Sequence, residues 1–340
     1  MAQLGESRPT ATASPVFVVP KEEDPFPSSM LALTSHSFKL YSPLLSFTSH
    51  RFPSSTRSSP RPSSARASME RSGPDFPYLP PAHRALILNL LATVDDRLGS
   101  DLLPSAVPSD VLRFQNPQGS AHGSVDIRTG SQTSLVDFVL QSWLHCKTPG
   151  GGEINIATLF APLNSSTDAP HFLFELIQGS PTSLVLLLDL LPRKDLVLHP
   201  DYLDEFYQQT DLDGPRRDLE KLPQASPYRS PSLFIRSIFS PTAVTITVDC
   251  GKEGDVKAME DIVAREIGSA AEKIIRIWFE KSAEVRGRVV GEGEKVCLDR
   301  RDGLIKRNAV EIDLVANLPR MFGPEVAQRV VAEIQKAFRV

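Results

Sequence analysis

Glu175 sits in the run HFLFELIQ, residues 171–178, with leucine, isoleucine and phenylalanine on either side. Strand alternation puts Leu173, Glu175 and Ile177 on one face and Phe172, Phe174 and Leu176 on the other. An isolated ionised carboxylate in apolar surroundings costs roughly several kcal/mol, so the group finds a partner or takes up a proton by raising its pKa. A carboxyl kept protonated near neutral pH can hand that proton to a substrate. The plain alternative is a partnered structural glutamate, or one on an edge strand.

Around Glu175 the chain reads FAPLNSSTDAPHFLFELIQGSPTSLVLLLDLLPRKDLVLHPDYLDEFYQQ. It continues as SPYRSPSLFIRSIFSPTA at 226–243 and EIDLVANLPRMFGPEV at 311–326. With SGPDFPYLPP near 72 and DFVLQSWLHCK at 137–147, these segments resemble the red chlorophyll catabolite reductases of plant chloroplasts. The resemblance runs from about Phe76 to the C-terminus and is weakest over 250–294. Gly179 and Pro181 after ELIQ, and the stretch 315–317, depart from the family wording.

The resemblance implies reduction of red chlorophyll catabolite, the open-chain tetrapyrrole left when pheophorbide a is opened, to the primary fluorescent catabolite. Electrons would come singly from reduced ferredoxin, with no metal or flavin bound. The family's two site acids fall on Glu175 and on Asp313, which the family wording places in a strand before PRMFG. The position that governs product stereochemistry falls on Phe239, and its plain alternative is ordinary core. Arg236, in the same block, could pair with Asp313 or grip a substrate propionate. The resemblance further implies a homodimer and leaves pheophorbide a oxygenase as an additional candidate partner. A non-catalytic carrier that sequesters phototoxic tetrapyrrole is the competing reading.

Other chemistries lack their residues. Cys146, Cys250 and Cys297 are far apart with no C-x-x-C pair, so the sequence offers neither an iron–sulfur nor a zinc signature. No H-E-x-x-H spacing occurs, and His145 and Cys146, adjacent on a strand, point to opposite faces. The nucleotide signatures G-x-G-x-x-G and G-x-x-x-x-G-K-[ST] are missing, and TPGGGE at 148–153 reads as a turn.

From Met30 to Met69 there is no Asp or Glu, while Lys39, Arg51, Arg57, Arg61 and Arg66 stand among serines. That is the composition of an organelle transit segment, and equally of a Ser/Pro-rich tail. Glu6, Glu22, Glu23 and Asp24 lie upstream, so Met30 is a candidate working start. The chain therefore divides into an extension with a chloroplast transit peptide over 1–68 and one domain over 69–340. The stroma is the address implied by the resemblance, with the mitochondrion as the alternative.

The domain carries 30 Lys and Arg against 37 Asp and Glu, a net charge of −7. That balance argues against nucleic acid as partner. SLVLLLDLL at 183–191 is too short, and is interrupted by Asp189, to span a membrane. An acidic ferredoxin would need a local basic patch. Candidates are Arg300, Arg301, Lys306 and Arg307, or Arg193 with Lys194, or Arg216 with Arg217.

The elements that must position these residues follow from periodicity. A helix is expected over 82–98, and strands over 124–127, 135–145, 153–160, 171–178 and 183–189, joined by short links that imply antiparallel pairing. Short helices follow at 201–209 and 216–221, then strands at 233–239 and 243–249. Residues 256–283 form one long helix or a broken pair. Pro324 opens the last helix, where Val326, Val330, Ile334 and Phe338 share a face. The expected fold is a three-layer α/β/α sandwich around an antiparallel sheet, which the resemblance implies is shared with ferredoxin-dependent bilin reductases.

Overall fold

The computed structural model describes residues 76–148, 150–251, 254–285 and 289–340, apart from the side chains of Ile312 and Asp313. The extension over 1–68 lies outside the described residues.

Eight strands form one antiparallel sheet: β1 (Phe114–Gln115), β2 (Ala121–Thr129), β3 (Phe138–Lys147), β4 (Glu153–Ala161), β5 (His171–Ser180), β6 (Ser183–Leu191), β7 (Ala225–Pro227) and β8 (Val244–Asp249). Their order is β1-β2-β3-β4-β5-β6-β8-β7. From β2 to β6 each strand pairs with its sequence neighbour, because the short links allow nothing longer than a hairpin. Gly151, at φ 82°, turns the chain between β3 and β4, a conformation that favours glycine.

Both faces of the central strands are covered. On one, Phe172, Phe174 and Leu176 join a core with α1 (Pro81–Leu98), α6 (Val256–Asp261) and α7 (Gly268–Trp278). Trp278 is fully buried there and donates from Nε1 to the Pro170 carbonyl at 3.1 Å, tying α7 to the entry of β5. π-helical turns at Ile262–Ile267 and Phe279–Ala283 leave residues 256–283 one continuous helical run. The short helices α2 (Ser109–Leu112), α3 (Pro200–Leu203) and α4 (Asp213–Leu219) bury Val111 in one core and Tyr202 and Leu219 in the other.

The opposite face is roofed by α9 (Val315–Phe322) and α10 (Pro324–Phe338), with α8 (Glu292–Asn308) along the side. Pro324 opens α10, and Val330, Ile334 and Phe338 are buried along it. The expected three-layer α/β/α sandwich around an antiparallel sheet is the fold observed.

Two expected strands are helices. Residues 233–238 form α5 (Leu233–Ile238), capped where Ser232 Oγ accepts from the Ile235 amide at 3.3 Å. Ile235 and Ile238, three apart, bury one helical face against Ile305 of α8. The segment 311–315, expected as the strand bearing Asp313, is instead a π-helical turn, Ala309–Leu314, joining α8 to α9. Val310, Leu318 and Met321 suit a helix packed on a sheet as well as EIDLV suits a strand, and the buried helical face wins. Asp313 is therefore on a helical turn and not on the strand that the family wording implies. α8 itself had no clear apolar stripe to announce it, because half of its buried positions are Asp302 and Lys306.

Candidate active site

Glu175 lies near the middle of β5, opposite Thr158 of β4 and Leu187 of β6. With Leu173 it faces the α8–α10 side, as alternation requires, and it is 9% exposed. A cavity of about 110 Å³ opens over it, walled by Leu144, Ile156 and Phe160 of the sheet and by Ile305, Leu314 and Phe338 of the roof. Thr158 Oγ1 donates to Glu175 Oε1 at 3.2 Å. Burial pushes the carboxyl up to about 7, and the Thr158 hydrogen bond only partly opposes that. The group is thus poised to hold a proton near neutral pH and to release it to a bound acceptor.

The roof is anchored by a buried ionic cluster. His171, at the head of β5, accepts the Leu163 amide on Nδ1 at 3.0 Å, so its proton is on Nε2, which donates to Asp302 Oδ1 at 3.0 Å. Arg193 Nη2 donates to Asp302 Oδ2 at 2.6 Å, and its Nη1 donates to the carbonyls of Thr167 and Asn164. Burial lowers the His171 pKa and holds the ring neutral. Burial alone would raise Asp302, but His171 and Arg193 outweigh it and keep that carboxyl well below the usual range. One turn along α8, Lys306 donates to Asp137 Oδ2 at 2.7 Å, and Arg339 reaches the same carboxylate at 2.9 Å. These contacts fix Ile305 and Lys306, which both border the cavity.

Beside this cavity on the same sheet face lies a second cleft of about 390 Å³, lined by Leu187, Tyr228, Arg229, Arg236, Phe239 and Ser240 among others. Leu187 is the cross-strand neighbour of Glu175, and the Tyr228 hydroxyl, pushed up to about 12 chiefly by burial, also feels the Glu175 charge. Phe239 ends α5 and packs with Ile235, Ile238 and Ile305. Phe239 thus lines the cleft and belongs to the same apolar cluster as Ile305, which walls the Glu175 cavity.

Of the sequence-derived site residues, Glu175, Phe239 and Arg236 gather on this face. Asp313 is on the π-helical turn whose Ala309 and Leu314 line the cavity, although its side chain lies outside the described residues. Arg236 belongs to the cleft and is exposed. Thr158 and Asp189 are not among the sequence-derived site residues. Asp189 breaks an apolar strand just as Glu175 does, and the same alternation argument applies to it.

Most of the basic patch candidates are already engaged. Arg193 and Lys306 are buried in the pairs just described, and Lys194 bridges Asp168 and Glu294. Arg216 holds Asp213 and Glu220, while Arg301 donates to the Pro192 carbonyl at 3.1 Å. Arg300 and Arg307 stay exposed on α8. Among the described residues no helix is long and apolar enough to cross a membrane, and no group of three His, Cys, Asp or Glu could hold a metal ion.

The sheet and its two helical layers have the fold of the bilin reductases. Tomato phytochromobilin synthase, solved in complex with biliverdin, matches 75% of this chain and 82% of its own with a TM-score of 0.57, at 15% sequence identity. Within that fold the sequence is more specific. The family model for red chlorophyll catabolite reductase matches residues 82–336. The chain is 51% identical over 261 residues to red chlorophyll catabolite reductase 1, chloroplastic, of rice (Oryza sativa subsp. japonica), covering 76% of this chain and 78% of that one. The Arabidopsis thaliana protein, red chlorophyll catabolite reductase, chloroplastic, is 49% identical over 268 residues, 78% and 83% of the two chains. The barley (Hordeum vulgare) red chlorophyll catabolite reductase is 54% identical over 205 residues, 60% of this chain and 98% of its own. The protein belongs to the red chlorophyll catabolite reductase family.

Proposed function

We propose that the protein reduces a methine-bridge double bond of red chlorophyll catabolite in the chloroplast, giving the primary fluorescent catabolite. Two reduced ferredoxins each supply one electron and are oxidised, and two protons come from protein carboxyls, so the double bond takes up two hydrogens. No bound metal or flavin takes part. Glu175 supplies one proton and Asp313 the other. Protonating each radical anion as it forms leaves no uncompensated charge in a low-dielectric site.

The observation that carries this reading is a carboxyl with a pKa of about 7 at the floor of an apolar cavity. Ordinary carboxylates are ionised at that pH and cannot act as acids. An open-chain tetrapyrrole would occupy this cavity and the adjoining cleft, whose Leu187 is the cross-strand neighbour of Glu175. There Arg236 would meet a substrate carboxylate, and Phe239 would decide which face of the methine carbon meets the acid. Ligand pockets are commonly roughly 300–1,000 Å³, and the cleft and cavity together fall in that range. For the acidic electron donor, Arg300 and Arg307, seven residues apart on one face of α8, are the docking pair left free by the ionic clusters.

Anaerobic turnover of red chlorophyll catabolite by residues 69–340 with reduced ferredoxin tests the reading, with Glu175→Gln and Asp313→Asn in parallel. Fluorescent product from the parent and little from either variant, with pigment still bound, is the expected result. Pigment bound by the parent without product would make the chain a carrier and overturn the reductase reading.

A further inference from the structure

Asp189 is an acid at a position where a leucine would pack without charge. It lies on β6 opposite Leu173, one diagonal step from Glu175, and is 2% exposed between Leu188 and Leu190. Each of its oxygens accepts from Ser240: the Ser240 amide donates to Oδ2 at 2.7 Å and the Ser240 hydroxyl to Oδ1 at 2.5 Å. The same hydroxyl oxygen accepts from the Thr242 amide at 3.1 Å, closing the turn that leads into β8. Burial pushes the Asp189 carboxyl up to about 7 against these hydrogen bonds, so the position is costly to keep.

Ser240 directly follows Phe239. Phe239 has left the helix, with φ −74° and ψ 150°, so the hydrogen bonds of α5 do not hold its backbone. What pins the segment to the sheet is the pair of bonds from the next residue to Asp189. Phe239 in turn shares its apolar cluster with Ile305, a wall of the Glu175 cavity. A shift of the Ser240 turn would therefore move a wall of the cleft and the apolar cluster that it shares with the Glu175 cavity.

We propose that Asp189 is a positioning residue that, through Ser240, holds Phe239 in the cleft wall against the cluster it shares with Ile305 and thereby fixes which face of a bound tetrapyrrole is presented to Glu175. This rests on the reductase reading for its substrate. Asp189 itself transfers no proton to the substrate, because it is 2% exposed and lines neither the cavity nor the cleft.

The test measures the epimer ratio of the product for the parent, Asp189→Leu, Asp189→Asn and Ser240→Ala, with thermal stability recorded for each. Asparagine still offers an oxygen to the Ser240 amide and should retain the parent ratio. Leucine offers none and should change the ratio by about tenfold or more, a pocket-scale effect, with turnover falling much less. Ser240→Ala keeps the amide bond and loses the hydroxyl bond, so an intermediate ratio is expected even if the leucine variant does not fold. An unchanged ratio in folded Asp189→Leu and in Ser240→Ala would overturn the proposal. So would loss of turnover in Asp189→Asn at an unchanged ratio, which would mark Asp189 as a proton donor.

Circular dichroism of biliverdin bound to the same variants reads positioning without turnover. If the parent binds biliverdin and makes no product, the reductase reading fails on its own. The positioning role then stands if the induced signal changes in Asp189→Leu and not in Asp189→Asn, and falls if neither changes it. No binding at all by the parent would sink both.

Discussion

Thr158 and Glu175 face each other across β4 and β5, and among the described residues the threonine hydroxyl is the group that opposes the effect of burial on the glutamate. A single neutral donor cannot stabilise a carboxylate as a guanidinium does, which is why Glu175 titrates near neutrality while Asp302, held by Arg193, stays ionised far below it.

Replacing Glu175 with Gln keeps the shape and removes the acid. Product formation should fall by about 10²–10⁴-fold, the usual worth of general acid catalysis, while pigment affinity changes little. In the parent, activity should decline above pH about 7 as this carboxyl loses its proton. A rate against pH series, with ferredoxin reduced chemically so that its supply stays constant, checks both.

Thr158→Val should move that alkaline limb upward. The substitution is nearly isosteric and removes the one hydrogen bond that favours the ionised form. A hydrogen bond to a charged group is worth roughly 1.5–3 kcal/mol, so a displacement of about one pH unit is expected. A limb that stays put would assign the titration to another group.

Stability should carry the same signature. The folded pKa of Glu175 is raised from 4.5 to about 7, so the folded state binds more protons over that interval and stability declines as pH rises through it. Glu175→Gln should match the parent near pH 4 and exceed it above pH 7 by on the order of 3 kcal/mol at most. His171, lowered by burial, acts in the opposite sense over an overlapping range, so the difference between variant and parent in urea unfolding is the quantity to follow.

Asp302→Ala should be severe. It strips the counter-charge from Arg193, whose side chain is fully buried, and the acceptor from His171. Breaking one side of a buried pair costs about 3–5 kcal/mol, which for a domain of this size lowers Tm by roughly 10 °C. Calorimetry should show that loss, and turnover should fall with it because α8 no longer holds the cavity wall.

Phe239→Val should alter the product and spare the fold. Phe239 is half-buried at the end of a short helix, so the stability cost should be small. The shorter side chain widens the cleft at this wall, and the epimer ratio should shift by about tenfold or more. Chromatographic separation of the two epimers reads the outcome.

The sequence by itself determined the central strands of the sheet and their acid, but not the short edge strands β1 and β7. Alternation and turn residues set β2 to β6 to within a few positions, because a strand buried on both faces needs one apolar residue after another and Glu175 then stands out. Pro324 and the fourfold spacing behind it marked the last helix for the same local reason. Tertiary structure decided what periodicity leaves open. Residues 233–238 and 309–314 satisfy either period, and burial against Ile305 and against the sheet made them helices. The basic residues were visible, but not their partners: Arg193 and Asp302 are 109 positions apart, and Lys306 and Asp137 are 169 apart. Whether a charge is a free surface group or half of a buried pair depends on which chain-distant group packs beside it, and only the folded arrangement supplies that neighbour.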